Sequence, residues 1–77
     1  MSMNLAFRTS EGHLIDFPFQ TTTKLSYEVL SLSNDFDKLD YICNQLKLWK
    51  WTSKEIKRVR TKIIQLMNDT DLILEII

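Results

Sequence analysis

His13 is the only imidazole and Cys43 the only thiol in this 77-residue chain, which narrows the covalent chemistry open to it. A cysteine or serine nucleophile needs a base within hydrogen-bond reach. Cys43 falls on the apolar stripe of a helical pattern, whereas His13 sits among turn residues, so the two are not expected to meet. His13 reads as a solvated turn residue. One Cys and one His cannot close a structural zinc site, and a lone Cys leaves no intramolecular disulfide. Asp35, Asp37 and Asp40 invite comparison with a calcium loop, but the turn glycine and the closing bidentate Glu are missing. Asp35 and Asp37 instead suit the positive end of a helix dipole. Gly12 is the only glycine, so neither a phosphate loop nor a dinucleotide fingerprint is present. The expectation is a protein that is not an enzyme and uses no metal or cofactor.

Charge is the more informative signal. Seven of the ten cations lie between Lys47 and Lys62, opposed there only by Glu55, so that stretch carries +6. The remainder, with three cations against nine acids, carries −6. Trp49 and Trp51 stand inside the basic stretch. The plain reading is the solvated face of an amphipathic helix. The sharper reading is contact with an acidic partner, a nucleic acid or a second copy. In self-association, Lys54, Lys57, Arg58 and Lys62 of one copy would meet acids such as Asp35 and Asp37 of the next. A head-to-tail contact of that kind builds rings or spirals. A helix-turn-helix on DNA is the alternative, with the cations on phosphates and Thr61, Gln65, Arg58 and Arg60 nearest the bases. A formal net charge of zero and a pI near 6.5 weaken long-range attraction to a polyanion. Nucleic acid therefore ranks below protein as the expected partner.

Eight large rings, Phe7, Phe17, Phe19, Tyr27, Phe36, Tyr41, Trp49 and Trp51, are many for so small an interior. Phe7, Phe17 and Trp49 are expected in the core. Tyr41, Leu48, Trp51 and Ile77 are expected to be exposed. Exposed aromatic and aliphatic side chains usually mark protein interfaces, where Trp, Tyr and Arg are enriched. The expected partner-binding set is Tyr41, Leu48, Trp49, Trp51 and Ile77.

The elements that must position these residues are legible in part. Met3 to Arg8 and Leu14 to Phe19 read as strands around Ser10-Glu11-Gly12-His13, a hairpin in which Gly12 takes positive φ. Pro18 should end the second strand or sit at an edge. Thr21, Thr22 and Thr23 offer caps to a helix of about two turns over Lys24 to Leu32. Asn34 or Asp35 caps a second helix whose stripe is Leu39, Ile42, Cys43, Leu46 and Trp49. Thr52 and Glu55 form a capping box for the third helix, with Trp51 and Ile56 placed as its hydrophobic staple. That helix buries Ile56, Val59, Ile63, Leu66 and Met67 and ends near Asn68-Asp69. Leu72 to Ile77 reads as a final strand.

Residues 1–77 are expected to make one domain. The fold class expected is α+β: an N-terminal β-hairpin, joined by the C-terminal strand, packed on two to three helices. No secretory signal is visible and no apolar run approaches the ~20 residues that span a bilayer. A cytoplasmic protein without membrane contact, with Cys43 reduced, is expected.

This layout resembles the small tail-assembly chaperones of long-tailed phages of low-GC Gram-positive bacteria. The likeness rests on size, the hairpin from Leu5 to Phe19 with Asp16-Phe17-Pro18-Phe19, the following helices, and a residue usage rich in Lys, Asn, Ile and Asp. It implies a non-virion protein of the host bacterial cytoplasm that coats the helical tape-measure protein and assembles along it. The leading expectation is thus a self-associating, non-enzymatic chaperone or adaptor for an amphipathic helical partner. A helix-turn-helix regulator comes second and an inhibitor of a host protein third.

Overall fold

A computed structural model describes residues 4–77. Its elements are β1 (Leu5–Thr9), β2 (Leu14–Asp16), α1 (Thr23–Ser31), α2 (Asp35–Leu48), α3 (Ser53–Met67) and β3 (Leu72–Ile76). The fold is α+β: a three-stranded antiparallel sheet in the order β2-β1-β3, with three helices. The expected start of the hairpin at Met3 lies outside the described residues.

The hairpin turns where the only glycine allows it. Gly12 has φ 89°, and its N–H donates to the Thr9 carbonyl at 3.0 Å. The second strand is shorter than its apolar run suggested, ending at Asp16 rather than Phe19. Pro18 has no N–H to extend the ladder, and Phe17 is drawn into the core instead. β1 is central: Phe7 faces Ile15 on one side and Leu74 on the other.

Alternation along β1 puts Leu5 and Phe7 toward the helices and Ala6 and Arg8 on the outer face. Leu14 and Asp16 of β2, and Ile73 and Glu75 of β3, share that outer face by register. Arg8 and Glu75 form an ion pair across it.

Where β2 stops short, Leu5 loses a ladder partner. Its N–H donates instead to Thr21 Oγ1 at 2.9 Å, deep in the interior. Thr21 Oγ1 in turn lies 3.0 Å from Ser26 Oγ, which donates to the Thr22 carbonyl at 2.8 Å. Thr21 and Ser26 are buried polar residues satisfied by this chain of bonds, which ties β1 to the start of α1.

Each helix begins at a side-chain cap. Thr22 accepts from Leu25 N–H at 3.1 Å in α1, and Asn34 from Asp37 N–H at 2.8 Å in α2. In α3 the capping box is complete: Thr52 Oγ1 accepts from Glu55 N–H at 3.2 Å, and Glu55 Oε1 accepts from Thr52 N–H at 3.1 Å. The core joins the sheet and all three helices through Leu5, Phe7 and Phe17, Leu25 and Val29, Leu39, Ile42 and Leu46, and Ile63 and Leu66.

Candidate protein-interaction surfaces

The turn between α2 and α3 holds both tryptophans in four residues, 49–52. Trp51 N–H donates to the Leu46 carbonyl at 3.1 Å and Lys50 N–H to the Lys47 carbonyl at 3.0 Å. Lys50 has φ 66°. This is the Schellman stop, with lysine in the left-handed position that glycine usually takes.

Neither tryptophan projects freely. Phe19 stands between them, its centroid 6.4 Å from Trp49 and 5.5 Å from Trp51, both edge-on. Phe17 meets Phe19 at 5.2 Å and Phe7 at 6.0 Å. A run of five rings thus reaches from the central strand to the α2–α3 turn. Trp51, expected to be exposed, is half-buried against the core, because the segment after β2 brings Phe19 onto it. Trp49, expected within the core, lies at its half-buried margin.

Tyr41 was also expected outside and is half-buried. It lines a shallow cleft of about 70 Å³ with Trp49, Gln45 and the Thr22–Leu25 end of α1. A second cleft, about 270 Å³, lies at the end of the sheet between Phe17, Phe19 and Ile77. Both fall below the ~300–1,000 Å³ typical of small-molecule sites.

Leu48 and Ile77 are exposed as expected, Leu48 to 72%. The structure adds others that sequence reasoning missed as exposed: Phe36 at 67%, Ile73 at 65%, and Leu14, Ile15 and Tyr27. The signal for Ile73 was present in the strict alternation of Leu72, Ile73 and Leu74, which sends the middle residue to the opposite face. Phe36 lies in the first turn of α2, three residues before Leu39. Nothing in local pattern told whether another element would cover it.

Lys54, Lys57, Arg58 and Lys62 are all exposed along α3, with Arg60, Thr61 and Gln65. None of these cations is in an ion pair among the described residues, where the pairs are Arg8–Glu75 and Lys38–Asp35. Asp35 and Asp37 are exposed at the other end of the helical pair, but both are occupied locally. Asp35 lies 3.8 Å from Lys38, and Asp37 accepts from Asn34 Nδ2 at 2.9 Å.

Titratable chemistry is sparse. Burial pushes the Cys43 thiol up, against the opposing pull of Arg60, so it stays protonated near neutrality. His13 is exposed in the hairpin turn. No cluster of potential metal ligands occurs among the described residues. No helix there is long and apolar enough to cross a membrane. No family model, curated protein or solved structure matches the chain.

Proposed function

We propose that this chain is a non-catalytic, self-associating adaptor that holds an apolar-striped helical segment of another polypeptide, as a chaperone would. The observation that carries the reading is the exposure of seven large hydrophobic side chains among the described residues, Phe36, Leu48 and Ile73 to about two thirds or more. Single exposed hydrophobics are ordinary, but this many on a small domain favours cover by protein. The outer sheet face adds to it. It presents Leu14 and Ile73, both exposed, around the Arg8–Glu75 pair. A rod such as a tape-measure protein is a partner of this chemistry.

The test combines size-exclusion with light scattering and titration with a designed amphipathic helix and its scrambled version. The expected result is concentration-dependent association and micromolar binding of the striped peptide alone. A strict monomer that binds neither peptide overturns the reading.

A second reading follows from a different observation. The unpaired cations of α3, set behind a four-residue turn from α2, suit phosphate contacts of a helix-turn-helix. A mobility-shift series in rising salt discriminates: affinity for duplex DNA should fall steeply, and Lys57→Glu with Arg58→Glu should abolish it.

A further inference from the structure

The two edges of the sheet are guarded differently. β2 is three residues long, carries Asp16, and is followed by Pro18 two positions on. Short length, charge and proline keep an edge from templating another strand. β3 runs five residues, Leu72-Ile73-Leu74-Glu75-Ile76, without proline or lysine. Its one charge, Glu75, is already held by Arg8 of the same chain.

Hydrogen-bond alternation shows which backbone groups lie open. Thr9 N–H donates to His13 C=O on the β2 side of β1, and Ile77 N–H donates to Asn4 C=O on the β3 side. Bonding direction alternates along an antiparallel strand. Ile73 and Glu75 therefore bond β1, whereas Leu74 and Ile76 turn their N–H and C=O groups the other way. No strand among the described residues pairs there. Burial does not separate the two edges, since Ile15 on the β2 side is 36% exposed, but it leaves the inner face of β3 incompletely covered. Leu5 and Phe7 on the central strand are each 1% exposed, but Leu74 and Ile76, their neighbours across the ladder, are only half-buried.

We infer that β3 pairs antiparallel with β3 of a second copy, about a two-fold axis through Leu74, to give a six-stranded sheet. In that register Leu74 faces its own counterpart and Leu72 faces Ile76, apolar against apolar on the helix side. On the outer side Ile73 faces Glu75 of the second copy, so each carboxylate meets an isoleucine and no like charges are opposed. The strand is complementary to itself, and an isologous contact of this kind closes as a dimer. The pairing doubles the outer sheet face available to a partner. It rests on the self-association in the proposed function and assigns that contact to the β3 edge rather than to opposite charges.

The experiment compares wild type, Ile73→Glu and Ile73→Lys by light scattering, with circular dichroism to check folding and amide exchange at Leu74 and Ile76. Ile73 is exposed, so both variants should fold. Wild type should be a dimer in which those two amides exchange slowly. Ile73→Glu sets a carboxylate opposite Glu75 of the second copy and should weaken the dimer by roughly tenfold. Ile73→Lys meets the same carboxylate and should retain it. An oligomer indifferent to Ile73→Glu but lost on reversing Lys57 and Arg58 would assign self-association to charge; it would overturn the edge pairing and leave the adaptor reading standing. Fast exchange of both amides in a dimer would also overturn it, and a strict monomer would remove the self-association as well.

Discussion

The Phe19 ring meets Trp51 edge-on, centroids 5.5 Å apart at an interplanar angle of 65°. Through this contact the segment leaving the hairpin is tied to the residue that precedes the cap of α3. Trp51 therefore belongs first to the fold, whatever else it touches.

Removing either ring should destabilise the monomer. Phe19→Ala and Trp51→Ala should each cost about 2–3 kcal/mol, below the range for fully buried rings because both are half-buried. A double-mutant cycle by urea denaturation should show coupling of about 0.5–1.5 kcal/mol. Strict additivity would mean that the two rings do not support each other.

Thr21 is a test of the buried polar chain. Thr21→Val keeps the shape but leaves Leu5 N–H without its acceptor, and should cost about 1–3 kcal/mol. Thr21→Ser, which keeps the hydroxyl, should cost clearly less. Equal losses in the two variants would mean that packing of the methyl group matters as much as the hydroxyl.

Lys50 holds a left-handed conformation that costs an L-residue about 1–2 kcal/mol. Lys50→Gly relieves it, and the glycine's greater unfolded freedom takes back part of the gain. A net stabilisation of roughly 0.5–1 kcal/mol is expected in chemical denaturation. A loss would show that the lysine stem contributes more to the turn than its backbone costs.

Glu55 gives α3 a pH dependence. Hydrogen bonds from the Thr52 side chain and then its backbone hold the Glu55 carboxyl below its ordinary range. A folded-state value below the unfolded one means that the unfolded chain binds more protons in acid. This contribution is therefore present above the ordinary carboxylate value and is lost as pH falls through the lowered one. Glu55→Gln can still close the box but carries no charge. The stability difference between wild type and this variant should shrink on acidification, and a difference constant with pH would remove the carboxylate from the account.

The residues of this chain state their local structure well. The T-x-x-E box over Thr52 and Glu55, the caps at Thr22 and Asn34, and the turn at Gly12 all depend on contacts between near neighbours, which spacing alone records. The unpaired basic side of α3 was legible for the same reason, since a helix of known start and period presents a known face. Tertiary structure decided which rings are covered, because Phe19 and Trp51 are brought together by chain closure over a separation no local period encodes. It also made β1 central by pairing it with β3 as well as β2. That pairing joins distant segments through backbone groups common to every residue, and it is what leaves one edge of the sheet open.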